Sequence, residues 1–565
     1  MPKGITKELF NQFIKYYDAD VFIEAGKIIR RKVKELDKSD PLERVEKIAD
    51  IFGTFRNPDK ETVLTPWRVV NMHLGKTIGG LSFYDEDFRY SYKDGKAVRK
   101  WIQTEYTDQT LNRDAHVLEI NSKTGLYPLY VATSIYWREF KKMNEQTAGK
   151  FNFEDELMLW QQILRENIFL VAKTPMAKEI ARRTLTGYHS DWDINAEYVE
   201  NIVDDAKADV KKEAEKIEGL FGNMKFDVVI GNPPYQQEAR GASTRDEPIY
   251  PEFIDLAYKI ADLVTLITPG RFLFNAGQTS KAWNERMLND PHLKIVHYEH
   301  TSSKIFPNTK IKGGIVITLR DENQIFGKIG IFTPYKELRE IANKVWRFQK
   351  RSFEEIVSVR GLYRFSDQMF KDYPDASTIL GKGTKNMIVS NSFSKLPNIL
   401  VKDESINKSE YIKIFGRINY HRTVRYIKRE YVNNNPYLDA FKVIFSKAAG
   451  LGDFGEKYSS PIVLKPNEGC TDTFISFGPL GSLKEAEAVS KYVKTKFCRA
   501  LLCIRKTTQD NPKSTWKFVP LLDFTNESDI NWTKSISEID QQLYKKYDLS
   551  QDEINFIETK VQAME

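Results

Sequence analysis

The chain has 565 residues, of which 41% are hydrophobic, 29% charged and 12% aromatic, with a net charge of +7. That length exceeds one ordinary core and predicts two or three domains, while no apolar run is long enough to cross a bilayer and the start, MPKGITKELF, lacks the apolar core of a secretory signal. Three cysteines, Cys470, Cys498 and Cys503, have no metal-like spacing, which argues against a metal site or a disulfide framework and for a reducing, cytoplasmic setting.

Residues 1–60 are predicted to be helical, since ITKELFNQFIKYY and PLERVEKIADIF repeat apolar residues at helical spacing. From 61 to 325, strand-like and helical runs alternate. HVLEI (116–120), NIFLVA (167–172), FDVVIG (226–231) and DLVTLIT (262–268) are short, apolar and β-branched, as buried strands of an α/β sheet are. LKIVHYE (293–299) and GGIVITL (313–319) are expected to be later strands of the same sheet. From 326 to 530 the segments shorten and glycine, asparagine and serine become frequent, as in YVNNNPY (431–437) and SFGPLGS (476–482), which predicts a second domain of mixed α and β structure. Residues 531–565 return to amphipathic helix. Net charge divides unevenly: −2 over residues 1–325, +15 over 326–520 and −6 over 521–565. The basic stretch points to a polyanion partner, because cations that neutralise phosphates release counterions; a solvated basic face is the plainer alternative.

The segment FDVVIGNPPYQ (226–236) concentrates the chemistry. An apolar strand ends at Gly231 and delivers Asn232, Pro233, Pro234 and Tyr235 at its carboxyl end, where open α/β sheets bind ligands. An adenine amino group is a poor nucleophile because its lone pair is delocalised into the ring. Two acceptors, one per N–H, draw the nitrogen toward tetrahedral geometry. The Asn232 side-chain oxygen and the Pro233 carbonyl can supply them, and the prolines hold those carbonyls rigidly. Tyr235 offers a flat face to a stacked base. The amine can then attack a sulfonium methyl directly, leaving orientation and electrostatics to the protein.

Asn-Pro-Pro-Tyr loops are shared by amino-group methyltransferases acting on DNA, on some RNAs and on glutamine amides of release factors, and this segment resembles them. DAHVLEINSKTGLYPLYVA (114–132) is similar to the cofactor-binding first motif of these enzymes. The resemblance sets Glu119 at the acidic position, Asn121 in the turn, Gly125 at the last glycine and Tyr127 at the aromatic. Lys123 stands where the family has an earlier glycine. ETVLTPWRVVNMHL (61–74) resembles the leading motif, whose Thr-Pro opens a helix over the methionine end of the cofactor, implying roles for Thr65 and Pro66. Thr65 as N-cap with Pro66 after it would also start any helix. SSKIFPNTKIKGGIVITL (302–319) looks like the segment that sets an aromatic, here Phe306, against the other face of a flipped base. The ribose-holding acid at the end of the second strand is missing, since Ala172 and Lys173 stand there. Asp204 or Asp205 in NIVDD (201–205) is assigned the cofactor's adenine, with a strand-end cap as the alternative.

The motif order resembles gamma-type adenine methyltransferases of restriction–modification systems, with wording nearest the methylase regions of large single-polypeptide restriction enzymes. Over residues 1–530 this implies a helical N-terminal region (1–60), a Rossmann-like α/β S-adenosylmethionine-dependent methyltransferase domain (61–325) and a mixed α/β target-recognition domain (326–530), followed by a helical tail (531–565). The implied activity is sequence-specific methylation of adenine N6 in double-stranded DNA, with the base flipped out at a cost of a few kcal/mol. In KIFGRINYHRTVRYIKRE (413–430), Arg417, Arg422, Arg425 and Arg429 are candidate DNA contacts. No nuclease or helicase motif is present: Pro58-Asp59-Lys60-Glu61 has the wrong spacing, and LGKTIGG (74–80) lacks the upstream glycine of a phosphate loop. A separate nuclease or helicase subunit is therefore a candidate partner. Two alternatives stay open: a DNA-recognition subunit with a relict cofactor site, and an RNA or protein-amide methyltransferase.

Overall fold

The structure is a computed structural model and describes residues 19–54, 63–93, 95–146, 151–189, 191–237, 246–275, 278–307, 309, 311–381, 383, 386–402, 407, 409–419, 421–506 and 508–564. The predicted helix over ITKELFNQFIKYY and the string Pro58–Glu61 lie outside them. Two compact units are present: residues 1–272 with 277–330, and residues 273–276 with 331–565.

Seven strands form the sheet of the first unit: β1 Val117–Ser122, β2 Ile168–Ala172, β3 Asn195–Tyr198, β4 Val228–Gly231, β5 Leu263–Pro269, β6 Leu293–Glu299 and β7 Ile315–Asp321, in the order β6-β7-β5-β4-β1-β2-β3. Every residue of β1, β2, β4 and β5 is buried. That is why their sequences read as continuous apolar runs: parallel strands covered on both faces have no solvent side to mark. The two later runs do join this sheet, and β7 is the strand antiparallel to its neighbours β5 and β6. From β1 the chain winds outward through β2 and β3, then returns to the other side of β1 as β4. The strand order reverses between β1 and β4, where Glu119 lies beside Ile230, and such a reversal opens a crevice at the carboxyl ends.

Helices cover the sheet. We label four: α1 Trp67–Thr77, α2 Leu126–Gln146, α3 Pro175–Thr186 and α4 Ile202–Ala208. The long stretch between β1 and β2 is taken up by α2 and by the helix Phe153–Glu166, which a reciprocal Asn152/Asp155 capping box starts. In the N-terminal region the helix Pro41–Gly53 sends Val45 and Ile48 into the same core as α1 and α2.

The second unit holds two three-stranded sheets. In one, Tyr411–Ile418 runs between His421–Lys428 and Glu468–Cys470; in the other, Phe441–Ser446 runs between Ile462–Leu464 and Phe474–Leu480. The helices Ile536–Lys546 and Gln551–Lys560 bury Ile539, Leu543 and Ile557 in the core that also holds Phe477, Phe497 and Trp516. Among the described residues no helix is long and apolar enough to cross a membrane, and no cluster of His, Cys, Asp and Glu is arranged to hold a metal ion.

Candidate active site

Two loops leave neighbouring strands at the carboxyl edge. The first follows β4. Gly231 has φ of +149°, and a Cβ there would meet the Ile120 carbonyl at 3.0 Å, so glycine lets β4 end tight against β1. Asn232 comes next and is buried. Its side-chain N–H donates to the Thr65 hydroxyl (2.9 Å), while its side-chain oxygen is buried with no hydrogen-bond partner. A buried acceptor left unmatched costs about 1–3 kcal/mol, and that acceptor is Oδ1 of Asn232. Thr65 is not a helix cap: Pro66 occupies the N-cap of α1, without a side-chain cap bond, and the Thr65 hydroxyl serves the loop instead.

Tyr235 packs edge-to-face on Phe306, with ring centroids 6.3 Å apart at 71°. Both rings are buried, and the Tyr235 hydroxyl has no partner. A base sandwiched between parallel rings needs about 7 Å, twice a carbon–carbon contact of ~3.5 Å. The structure therefore brings together the two aromatics singled out from the sequence, in an arrangement that admits a base only after one ring turns.

The second loop follows β1. Glu119 is buried, with one carboxyl oxygen unpartnered, and desolvation pushes its pKa up to about 7 against the opposing effects of the Ser122 hydroxyl and, more weakly, the Lys123 ammonium. Asn121 takes a left-handed φ of +63°, and its side-chain N–H group is buried without a partner. Gly125 also has positive φ (+75°), and a Cβ there would come within 2.9 Å of the Ala181 backbone in α3. Lys123, the departure from the family pattern, donates to the carbonyls of Val63 (3.1 Å) and Asn232 (3.3 Å). It thereby ties the turn to the segment entering α1 and to the loop after β4.

Tyr127 stands behind this turn, and reading the sequence missed what holds it. The Thr265 hydroxyl donates to the Thr318 carbonyl (3.0 Å), so its oxygen accepts from His73 Nε2 (2.8 Å). His73 Nδ1 is then the acceptor for the Tyr127 hydroxyl (2.7 Å). Burial pushes the His73 pKa down to about 3, which keeps the imidazole neutral in this chain of bonds. Nothing local to NMHLG marks His73, because its partners are 54 and 192 residues away.

Asp204 and Asp205 are not at a strand end; they sit in the first turn of α4, where anionic side chains suit the helix dipole, and Asp205 pairs with Lys216 (2.8 Å). Ala172 ends β2, buried. In the second unit, Arg417 and Arg422 face one another across an antiparallel hairpin, so both project from the same side. Arg417 donates to the Ser446 hydroxyl (3.0 Å), leaves its Nε buried and unmatched, and lies over the Phe474 ring. Arg422 is exposed and donates to the Ser460 carbonyl. Arg425 alternates to the opposite face, above Phe393. Arg429 lies in a short 3-10 turn and pairs with Asp439 (3.5 Å).

Residues 166–306 match the family described as Eco57I restriction-modification methylase. That stretch takes in Asn232–Tyr235 and ends at Phe306; the turn at 119–127 lies before it. Over 121 residues the chain is 31% identical to an uncharacterized adenine-specific methylase of Mycoplasma pneumoniae, covering 21% of this chain and 28% of that relative. Less than a third of that relative's length is thus spanned. Among solved structures, the ATP-dependent Type ISP restriction-modification enzyme LlaBIII bound to DNA is 10% identical, with 89% of this chain and 40% of that chain covered and a TM-score of 0.39. The Type IIL restriction-modification enzyme MmeI in complex with DNA is 8% identical, with 80% and 73% covered and a TM-score of 0.42. Residues 166–306 are thus similar to a restriction-modification methylase family, and a stretch of 121 residues is similar to an adenine-specific methylase.

Proposed function

We propose that this chain methylates the N6 amino group of adenine in double-stranded DNA, with S-adenosylmethionine as methyl donor. The observation that carries the reading is the Asn232 carboxamide. Thr65 holds its N–H group, and its oxygen is left as a buried acceptor at the carboxyl end of β4. An amino group entering there donates one N–H to that oxygen and the other to the Pro233 carbonyl. Its nitrogen lone pair is thereby withdrawn from the ring, while Tyr235 and Phe306 hold the base by its faces once their rings part. Methylation leaves the nitrogen cationic and acidic, and its surplus proton passes to water; the two neutral amide oxygens orient the amino group but are too weakly basic to keep that proton.

The residues of the turn fit the proposed cofactor. Glu119 and Asn121 keep a buried acceptor and a buried donor unmatched, complementary to a nucleoside's hydroxyls and an amino acid's carboxylate. S-adenosylmethionine would supply an electrophilic methyl group there; this chain supplies the geometry. Arg417 and Arg422, sharing one hairpin face, are the proposed recognition-side DNA contacts, and Arg425 is not on that face.

A second reading is favoured by two observations: Lys123, in the place of a family glycine, is tied to Val63 and Asn232, and Ala172 ends β2 where the resemblance implies a ribose-holding acid. On it, the chain recognises DNA with a relict cofactor site. Transfer of tritiated methyl to DNA decides. The proposal expects incorporation by the wild-type chain and almost none by Asn232→Ala. Equal incorporation by both sinks the mechanism, and failure to bind S-adenosylmethionine in calorimetry favours the relict site.

A further inference from the structure

A narrow ribbon stands out from the first unit. Tyr92–Lys93 pairs antiparallel with Lys96–Ala97, and at its tip Gly95, with φ of +76°, would meet nothing within 4 Å if it carried a Cβ. Tyr90 and Tyr92 are 65% and 66% exposed, an unusual place for two large rings. Residues 89–100 contain five basic residues and one acid, within a half-chain whose net charge is −2. Arg99 and Lys100 are held by Glu46 (3.0 Å) and Glu86 (2.7 Å). Arg89, Lys93 and Lys96 are exposed, and their side chains form no ion pair or hydrogen bond among the described residues. Lys93 and Lys96 sit directly opposite one another, a like-charge pair only partly offset by the Glu86 carboxylate near Lys93, so a bound anion favours the pair.

The position of the ribbon gives these groups a use. Arg68, in α1, donates from one guanidinium nitrogen to the Phe88 carbonyl (3.4 Å) and from another to the Lys304 carbonyl (2.6 Å). One side chain thus clamps the root of the ribbon to the segment carrying Phe306, the ring packed on Tyr235. A cationic, aromatic-bearing strip rooted beside a site for a flipped base is placed to meet the backbone from which that base swings. Cations spaced along a thin ribbon suit phosphates, which position a duplex without reading it. The exposed tyrosine rings can lie against the sugars.

We infer that the ribbon at residues 89–97 is a second DNA contact, in which Arg89, Lys93 and Lys96 grip the sugar–phosphate backbone next to the target adenine. The inference rests on the DNA methyltransferase reading above. It is tested in the full chain with the triple variant Arg89→Ala/Lys93→Ala/Lys96→Ala. Binding to a fluorescein-labelled random-sequence duplex is followed by anisotropy across a salt series, with S-adenosylmethionine binding measured by calorimetry as the control. Each phosphate contact contributes about 0.9 to the slope of log affinity against log salt. The variant is expected to lose about 2–3 from that slope and roughly ten- to a hundred-fold in affinity at low salt, with cofactor affinity and thermal midpoint unchanged. Wild-type slope and affinity in the variant overturn the inference, as does a loss seen only with an RNA probe. A wild-type chain that binds no duplex overturns the methyltransferase reading itself, and the ribbon's role with it.

Discussion

The loop after β4 and the turn after β1 leave adjacent strands, yet they are held by opposite means. In the loop, the neutral hydrogen bond from the Asn232 side chain to Thr65 aims a neutral acceptor, and the Lys123 ammonium reaches only the Asn232 backbone carbonyl behind it. In the turn, the Glu119 carboxyl is taken out of water and shifts accordingly, beside the half-buried Lys123 ammonium. Neutral groups do not titrate, whereas buried charges couple their function to pH. The chemistry of the loop is therefore expected to be indifferent to pH, while cofactor binding at the turn is not.

The largest break in this comparison is Asn232→Ala. It removes the loop's acceptor and leaves the turn intact, so methyl transfer falls by at least about 10²–10³-fold, the cost typical of one lost electrostatic contact at a reacting centre. Cofactor affinity in calorimetry stays close to wild type. A parallel loss of affinity would show that loop and turn do not act separately.

Next comes Glu119. Its folded pKa is raised to about 7 from an ordinary 4.5. Below the lower value both folded and unfolded chains hold the proton and burial costs nothing extra. As pH rises toward 7 the unfolded chain ionises first, and the apo protein loses on the order of 3 kcal/mol of stability. Donors on a bound cofactor favour the ionised carboxyl, so affinity climbs with pH up to about 7 and is level above it. Glu119→Gln flattens both the urea-unfolding and the calorimetric profiles; a wild-type profile without the rise would contradict the assigned role.

Lys123→Met sharpens the comparison from the other side. The cation that offsets part of the upward shift of Glu119, beside the Ser122 hydroxyl, is removed, so the pH edge for cofactor binding moves slightly upward. The loop also loses a donor at the Asn232 carbonyl, and kcat falls about tenfold, or ~1.4 kcal/mol of barrier. Lys123→Arg restores the edge. An unmoved edge would mean that the ammonium acts on the loop alone.

The smallest effect is expected behind both regions. Tyr127→Phe takes the donor from the buried Nδ1 of His73 and lowers stability by about 1 kcal/mol in urea unfolding, with the pH edge unchanged. A moved edge would mean that Tyr127 acts on Glu119 directly.

What the letters revealed follows the same division. β1, β2, β4 and β5 were legible because both faces are buried, and the Asn232–Tyr235 loop because its geometry is carried by four consecutive residues. Thr65 was ambiguous: the same two letters start a helix or serve a loop 167 residues away. Lys123 looked like a defect in a glycine turn, since its acceptors, Val63 and Asn232, are brought to it only by the fold. Asp204 and Asp205 were misplaced because a short helix begins where a strand end was expected. The ribbon at 89–97 was hidden because charge summed over 325 residues averages a local cationic strip to nothing.

The central claim is that Asn232 presents an adenine amino group for methylation. The direct measurement is mass spectrometry of nucleosides from duplex DNA incubated with S-adenosylmethionine and either wild-type protein or Asn232→Ala. N6-methyladenine from the wild type alone is the predicted result. Methylation of cytosine, or equal N6-methyladenine from both proteins, would contradict it.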